Sequence, residues 1–427
     1  MTIEKDRIPF QINVSKPDME KYDQHSFEIK DYDSAEMSHE DRKQLIQKVV
    51  DICKEAGGGT VIVNKGKWIS GPIRLYDNIC LKLHEEAEIV FSQIPEDYLP
   101  VVFTRWEGME CYNYSPLIYA YKCKNIAIIG KGKLNGMGQS WWHWKKHQET
   151  AAKELCYAES NGIPVEKRIY GTREAALRPS FIQLMHCENV YLCDFTIEEG
   201  PQWTIHPVYC QNVVIQGVNV YTTGHNTDGL NPDSCKDVWI EGCHFSTGDD
   251  CIAVNSGMNE DGWRVGRPCE NIVIVDCVME GGHGGVVIGS GMSGGVKNVY
   301  ASHCRMSNVM QGIRVKSMKG RGGYIKDVWF EDIHLEHISD AGIQISMFYP
   351  YSTVMPKNDV PPHISDIKVK NISGSNHHIA IELRGLKEEN IKNVELEDIE
   401  LSSEKSMIVE NVEGISLRNV NLSKDIG

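Results

Sequence analysis

A short strand-like pattern recurs through most of this chain and constrains its fold more than any other feature. Each copy begins with Asn or Asp and continues with alternating apolar residues, as in Asn189-Val-Tyr-Leu and Asn212-Val-Val-Ile. The copies begin at residues 125, 189, 212, 237, 271, 298, 327, 366 and 393, with a weaker copy at Gly414. From 189 onward they are 21 to 39 residues apart, and an alternation of period two is typical of strands. Such a repeat predicts an all-β, single-stranded parallel β-helix, in which each coil buries its inward face against its neighbours.

The polar residue that opens each copy has a structural explanation. Asn and Asp tolerate the left-handed backbone of a tight corner, and their side chains can hydrogen-bond along a stack of equivalent corners. We therefore expect these residues to hold the turns and to take no part in chemistry.

The ends of a solenoid expose strand edges, so a cap is expected. Ser38-His-Glu-Asp41 resembles a capping box, and the apolar residues after it recur with helical spacing up to the glycines at 57–59. We expect a capping helix within an N-terminal segment of about 1–56 and coils over about 57–427. Residues 143–172 break the strand rhythm and predict a partly helical insertion that walls a cleft. Without a recognisable linker, 1–427 is expected to be one domain.

Charge and cysteine content exclude several classes of function. The 44 Lys and Arg against 59 Asp and Glu give a net charge of −15, which disfavours nucleic acid and anionic membranes as partners. Met1 to Lys16 lacks the apolar core of a secretory signal, and no segment approaches a membrane span. The 14 cysteines include no Cys-x-x-Cys pair, so reduced buried thiols and a cytoplasmic location are expected. A homo-oligomer is compatible with the sequence, which does not fix the oligomeric state.

Conspicuous polar residues concentrate in consecutive repeats. They form four motifs: Asn226-Thr-Asp228-Gly, Gly-Asp249-Asp250, Gly-His283-Gly and Arg314-Val-Lys316. The separations are 249 − 228 = 21, 283 − 250 = 33 and 314 − 283 = 31 residues, each comparable to one coil. Neighbouring coils are about 4.8 Å apart. The sequence therefore predicts that three carboxylates, an imidazole and two cations line one face.

This set of groups is suited to cleaving a glycosidic bond. One protonated carboxyl must give its proton to the leaving oxygen, and an ionised one must act on water or on carbon. Crowding of Asp228, Asp249 and Asp250 separates their proton affinities, because like charges resist joint ionisation. Arg314 and Lys316 point to the same side of a strand and suit a substrate carboxylate.

Each motif alone has a plainer explanation. Asp-Asp between glycines is often a solvated turn or a calcium site, His283 alone is typical of a hydrogen-bonded turn, and Arg-x-Lys is usually a solvated strand edge. Their conjunction at coil spacing favours an enzyme.

The motifs N-T-D-G, G-D-D, G-H-G and R-V-K, in this order, resemble the signature of glycoside hydrolase family 28, the polygalacturonases. Further segments resemble the bacterial exo-acting branch: Ala56–Thr60, Arg105-Trp-Glu-Gly, Glu110–Ala120, Leu177-Arg-Pro, Trp203-Thr-Ile-His-Pro207 and Gly284–Ser290. The resemblance covers about residues 55 to 350. It implies a right-handed β-helix that hydrolyses α-1,4 bonds between galacturonate units with inversion.

The resemblance also assigns roles. Asp249 would be the general acid, Asp228 and Asp250 would activate water, and His283 would orient that group. Arg314 and Lys316 would bind the galacturonate carboxylate, with Asn226 and His206 lining the same cleft. Neither a cofactor nor a metal is implied. Tyr349 and Tyr351 are candidates for stacking on sugar rings.

Two departures from the family pattern leave alternatives open. Asn255 stands where relatives commonly have Lys, and Gly291 where they often have Glu, either as a compensated swap or because a different sugar binds beside them. The main expectation is an exo-acting galacturonidase whose partner is an oligogalacturonide. The alternatives are a hydrolase of rhamnogalacturonan or another decorated pectin fragment, a β-eliminating pectate lyase and a non-catalytic carbohydrate-binding solenoid.

Overall fold

The computed structural model describes residues 7–350 and 355–424, and these residues fold as a right-handed parallel β-helix. Strands pair in parallel with their counterparts one coil away, and three strand positions recur in each coil. The fold predicted from the sequence is confirmed.

The first strand position follows the Asn or Asp corner. Its strands are Gly59–Val63, Ile79–Leu83, Lys124–Gly130, Glu188–Cys193, Gln211–Gln216, Lys236–Glu241, Cys269–Val275 and Val296–Ser302, preceded by Ser26–Glu28. The strands at the second position are Gly66–Ser70, Ala87–Phe91, Lys133–Asn135, Thr196–Glu198, Asn219–Tyr221, His244–Ser246, Val278–Glu280 and Arg305–Ser307.

The third position carries the polar motifs. Its strands are Ile73–Arg74, Ile118–Tyr121, Ile182–Met185, Ile205–Val208, Ile252–Val254, Gly284–Ile288, Gln311–Lys316 and Ala341–Ser346. In the later coils strands continue around the corners as Tyr324–Glu336, His363–Arg384, Ile391–Glu410 and Val412–Lys424.

The repeated corner residues form a ladder. All nine Asn and Asp residues that open the copies from 125 to 393 have φ between 55° and 60° or just below, at 54° for Asn212. The amide of Asn189 donates to Asn125 at 2.9 Å, and that of Asn212 donates to Asn189 at 2.8 Å. The same contact joins Asn271 to Asp237 at 2.8 Å. The structural role predicted for these residues matches this arrangement.

Helices lie outside the coils. Helix His39–Glu55 starts with a complete capping box between Ser38 and Asp41 and buries its apolar stripe against the first coils. In the region of the predicted insertion lie Gln139–Trp142 and Glu149–Ser160, with 3-10 turns at His143–Lys146 and Val165–Lys167. The remaining α-helix among the described residues is Asn259–Val265. Further 3-10 turns lie at Met19–Lys21, Ile29–Asp31 and Pro95–Tyr98.

One antiparallel hairpin departs from the repeat. Its strands, Val102–Trp106 and Met109–Asn113, are joined by Glu107 and Gly108, which both have positive φ, 44° and 86°. Positive φ at both residues of a two-residue connection is the pattern of a type I′ turn. The hairpin lies over the third strand position, where Arg105 and Gly108 contact the coils.

A continuous apolar core extends inside the coils from Ile29 to Leu401. The division of the chain into one domain stays a prediction, and this core is the observation that bears on it. All fourteen cysteines lie in the described part of the chain and are free and buried. Among the described residues no helix is long and apolar enough to cross a bilayer.

Candidate active site

The β-helix register brings the polar motifs to one face. Inward-facing Ile205, Leu230, Ile252, Val286 and Ile313 pair from coil to coil, which fixes the register of the third strand position. Because side chains alternate between the two faces of a strand, this register fixes which residues point outward. Arg314 therefore points to the outer face, and the motifs of neighbouring coils lie beside one another.

Three carboxylates meet on this face. Asp228, Asp249 and Asp250 each offer one oxygen atom within 4.8 Å of the others. Asp228 and Asp250 are buried, and Asp249 is the most accessible of the three. The structure thus brings together the three acids that the sequence singled out.

Asp228 lies in the least favourable environment for a charge. Burial raises the pKa of its carboxyl well above the usual range, and the neighbouring charges of Asp249 and Asp250 raise it further. A hydrogen bond from Asn231 at 2.9 Å opposes this effect only in part. Burial and the neighbouring charges therefore favour the protonated form of Asp228.

Asp249 is paired with His283. The Nδ1 atom of His283 lies 3.0 Å from Oδ1 of Asp249. Burial opposes ionisation of Asp249, but the hydrogen bond and charge of His283, with the charge of Lys316, outweigh burial and lower its pKa. The same hydrogen bond raises the pKa of His283. The contact therefore favours a carboxylate on Asp249 and an imidazolium on His283. The role of Asp249 as the general acid, which the family resemblance implies, stays a prediction.

Asp250 is paired with a buried cation. Lys316 Nζ lies 2.6 Å from Asp250 Oδ2, and Arg314 approaches Oδ1 to 3.9 Å. Burial acts to lower the pKa of Lys316, but the charge of Asp250 outweighs it and raises this pKa. Oδ1 of Asp250 is buried and accepts no hydrogen bond from the described residues. It can therefore accept one from a water molecule or a sugar.

The three carboxylates are also the one group among the described residues whose oxygen atoms could hold a metal ion together. Carboxylate oxygens are the ligands that Ca²⁺ and Mg²⁺ prefer. However, the ammonium of Lys316 already neutralises Asp250. A divalent cation would have to displace this ammonium or accept its repulsion, so the residues fit a metal poorly.

An open cavity lies over the carboxylates. It is lined by Glu107, Gly108, Trp203, Asn226, Asp228, Asp249, Asp250, Ala253, Asn255, Met258, Gly289, Ser290, Gly291, Lys316 and Tyr349. His283 is half-exposed next to this cavity. Arg314 is not among the lining residues, and its Nε atom donates to Gln344 at 3.0 Å. Of the two predicted cations, Lys316 is the one on the cavity wall.

A hydrogen bond from Arg178 holds the side chain of Asn226 in place. Its amide is 3.5 Å from Oδ2 of Asp249, and its own oxygen accepts from Arg178 at 3.0 Å. Arg178 is fully buried and also donates to the carbonyl groups of Pro201 and His225. Burial lowers the pKa of Arg178 to about 10, so it stays charged at neutral pH.

His206 differs from the sequence prediction. It was expected to line the cleft, but its side chain is fully buried and lies below the ring of Trp203, with ring centroids 4.7 Å apart. It contacts Gln183 at 2.9 Å and Asp233 at 3.4 Å. Asp233 in turn binds Arg105 at 2.9 Å, so His206 supports the hairpin.

Sequence reasoning assigned no role to three wall residues. Glu107, Trp203 and Met258 come from a hairpin turn, a loop and the start of a helix, where no repeat marks them. The quoted segments Arg105-Trp-Glu-Gly and Trp203–Pro207 were the signal that could have identified the first two. Tyr349 lies on the wall, with Lys316 Nζ 4.9 Å from its ring centroid, whereas Tyr351 is outside the described residues.

Asn255 and Gly291 are neighbours on the wall. A Cβ atom placed on Gly291 would lie 3.4 Å from Oδ1 of Asn255. A Lys and a Glu at these positions would therefore be close neighbours. Asn255 in place of Lys removes a positive charge, and Gly291 in place of Glu removes a negative one, so the two departures offset each other in charge. This part of the cavity lining is left without a charged side chain.

The spacing of the carboxylates suits a shared water molecule. Two hydrogen bonds of about 2.8 Å that meet near the tetrahedral angle span about 4.6 Å. Oxygen atoms within 4.8 Å can therefore hold one water between them. The about 6.5–9.5 Å typical of inverting pairs is measured between whole carboxyl groups, so the distance between single oxygen atoms does not by itself predict the stereochemistry.

Comparisons with known proteins agree with this arrangement. The model of "Glycosyl hydrolases family 28" matches residues 165–422. A "Probable polygalacturonase" of Vitis vinifera is 30% identical over 77% of this chain and 64% of its own length. An "Exo-poly-alpha-D-galacturonosidase" of Dickeya chrysanthemi is 26% identical over 80% of this chain and 61% of its own length. The chain thus spans less than two thirds of these curated relatives.

A solved structure is similar over nearly its full length. A hyperthermoactive exopolygalacturonase from Thermotoga maritima has 34% sequence identity and a TM-score of 0.90, and the match covers 96% of this chain and 94% of that one.

Proposed function

Because this chain belongs to glycosyl hydrolases family 28, we propose that it hydrolyses α-1,4 bonds between galacturonate units of oligogalacturonides, one sugar at a time from a chain end. The observation that carries this proposal is the cluster of three carboxylates within 4.8 Å, flanked by His283 and Lys316. The exo mode is supported by the Thermotoga maritima and Dickeya chrysanthemi proteins and by the hairpin at one side of the cavity.

The proton for the leaving oxygen comes from the Asp249–His283 pair. Asp249 is the carboxyl that a glycosidic oxygen reaches most easily, because it is the most accessible of the three. Bound sugar excludes water from this pair, and loss of water favours the neutral form of an ion pair. The proton on Nδ1 of His283 moves to Asp249, which passes it to the leaving oxygen.

Water attacks from the Asp250 side. Oδ2 of Asp250 is paired with Lys316, and its buried Oδ1, which accepts no hydrogen bond from the described residues, takes a proton from the water. Asp228, protonated in the unliganded site, fixes the other side of this water. The leaving sugar carries a new hydroxyl group and the other sugar a new reducing end. Asp250 then releases to solvent the proton that it took from water, and His283 takes up a proton from solvent to replace the one that it gave. Direct attack of one water gives inversion.

The substrate carboxylate binds near Lys316. This cation and Tyr349 lie on the same wall, and Arg314 adds positive charge behind them. Asn226 contributes an amide on the opposite side.

Product analysis on a defined galacturonate trimer tests the proposal. We expect monomer and dimer as the first products, released from one end, and no activity in D249N. Internal cleavage of longer oligomers would contradict the exo mode, and no turnover of any galacturonate oligomer would contradict the substrate. An unsaturated product, detected by ultraviolet absorbance, would indicate a β-eliminating lyase.

Hydrolysis of a decorated pectin fragment is the second candidate. The part of the lining at Asn255 and Gly291 favours it, because a substituted or different sugar would meet an uncharged amide and a glycine there. Reducing-sugar release from rhamnogalacturonan oligomers, compared with oligogalacturonates at equal concentration, separates the two candidates.

We also propose that the protein is located in the cytoplasm. Its support is the set of fourteen free, buried cysteines, a content compatible with a reducing compartment. Cell fractionation followed by immunodetection tests it.

A further inference from the structure

The turn of the hairpin places a carboxyl group on the cavity wall outside the Asp cluster. Glu107 is the first residue of the two-residue turn and has a φ of 44°. Positive φ is uncommon for residues other than glycine and asparagine, and such positions are enriched at functional sites. Glutamate is therefore an unfavourable residue for this backbone conformation, because a type I′ turn prefers Asn-Gly.

The hairpin is held firmly against the coils. The buried guanidinium of Arg105 donates to the carbonyl group of Gly108 at 3.1 Å and to Asp233 and Ser234 at 2.9 Å. The backbone amide of Met258 donates to the same carbonyl group at 3.2 Å. Glu107 is thus presented by a fixed backbone rather than by a mobile loop.

One oxygen atom of Glu107 is engaged and the other is free. Gln202 donates to Oε1 at 2.9 Å, whereas Oε2 has no partner among the described residues. Burial raises the pKa of Glu107, the charge of Asp249 adds to this rise, and Lys145 and Arg178 oppose it. Glu107 lines the same cavity as Trp203 and Asn226, and Lys316 is the cation of that lining.

We infer that Glu107 recognises a free terminal hydroxyl group of the substrate, at the place where an internal sugar carries a glycosidic oxygen. The inference rests on the proposed function. A hydroxyl group can donate a hydrogen bond to Oε2, but a glycosidic oxygen has no proton to donate. A further galacturonate beyond this point would also bring its carboxylate towards Glu107. Glu107 therefore selects a chain end through a hydrogen bond from the free hydroxyl group of that end, in addition to the steric limit set by the hairpin.

Modified oligogalacturonates test this role. One trimer lacks the 4-hydroxyl group at its non-reducing end because that ring is unsaturated, and another has the C1 hydroxyl group of its reducing end replaced by a methoxyl group, as a methyl glycoside. We expect the wild-type kcat/KM to fall by about 100-fold on one of the two, since sites built to bind a hydroxyl group strongly reject analogues without it. In E107Q we expect that difference to shrink to less than about threefold, because Gln202 would hold the amide oxygen and leave an NH₂ group facing the cavity.

Two further variants separate recognition from folding. E107N gives the Asn-Gly turn that type I′ geometry prefers, so its hairpin should fold at least as well while the acceptor is withdrawn. E154Q removes a carboxylate from the exposed face of helix Glu149–Ser160 and should keep the wild-type selectivity. A wild-type enzyme that treats all three trimers alike would overturn the inference, as would an unchanged preference in both E107Q and E107N. If no variant, including wild type, hydrolyses the unmodified trimer, the proposed function fails instead.

Discussion

The Nδ1 atom of His283 lies 3.0 Å from Oδ1 of Asp249, although 34 residues separate them in the chain. This contact lowers the pKa of the carboxyl and raises that of the imidazole, so the two groups act as one proton-holding pair. Their joint behaviour governs how activity should depend on pH.

Replacement of His283 is expected to move the alkaline limb of kcat to lower pH. In the wild type the pair keeps its proton up to the raised pKa of His283, above its usual value of about 6.5. In H283N only Asp249 can hold that proton, and a carboxyl group releases it at lower pH than an imidazole. Profiles of kcat against pH on the galacturonate trimer measure the shift. H334N, at an exposed histidine, is the control, and an unmoved limb in H283N would contradict the pair as the proton source.

Replacement of Asp228 by Asn is expected to stabilise the fold. Its folded-state pKa is raised, so between about pH 4 and that pKa the native state binds more protons than the unfolded chain, and stability falls as pH rises. The D228N variant has no carboxyl group at this position, so it does not lose stability in this way as the pH rises. We therefore expect D228N to be more stable than wild type at pH 7 and to differ little from it below about pH 4.

Urea unfolding at the two pH values measures this gain. The matched control is D250N, which leaves Lys316 buried without its carboxylate and should lose about 3 kcal/mol at pH 7. A loss of stability in D228N at pH 7 would contradict the protonated state assigned to Asp228.

The asparagine ladder allows a separate test of the fold. N189A removes the hydrogen bonds to Asn125 and Asn212 and forces alanine into a left-handed backbone with φ near 60°. N189G loses the same hydrogen bonds but adopts that backbone freely. We expect N189A to be less stable than N189G by about 1 kcal/mol, and both to be less stable than wild type. Equal stability of the two variants in chemical denaturation would show that the left-handed corner carries no cost.

The repeat made much of this structure predictable. Period-two alternation after Asn189, Asn212 and Asp237 fixes which side chains face inward, and a fixed register then places motifs from different coils on one face. The grouping of Asp228, Asp249 and His283 follows from that geometry alone.

Features outside the repeat were not predictable in the same way. Glu107 comes from a hairpin that interrupts the coils, so no periodicity marks it. His206 belongs to the correct strand position, but Trp203 covers it, and burial by a neighbouring loop leaves no signature in spacing. The proton distribution between Asp228 and Asp249 depends on local burial and on His283, which a sequence pattern does not measure.

The stereochemistry of the reaction is the last prediction, because the distance between single carboxylate oxygen atoms does not decide it. One oxygen atom of each carboxylate lies within 4.8 Å of the others, whereas the about 6.5–9.5 Å of inverting pairs is measured between whole carboxyl groups. Here the ammonium of Lys316 lies 2.6 Å from Asp250, which weakens it as a nucleophile, and the spacing suits one water held between two carboxyl groups. We therefore expect the newly formed reducing end to appear first as the β-anomer and to mutarotate afterwards. Proton NMR during the first minutes of hydrolysis of the trimer, at a high enzyme concentration, measures the anomer directly. Initial release of the α-anomer, or a glycosyl adduct trapped on Asp250 and detected by mass spectrometry, would replace the water-mediated step with a covalent one.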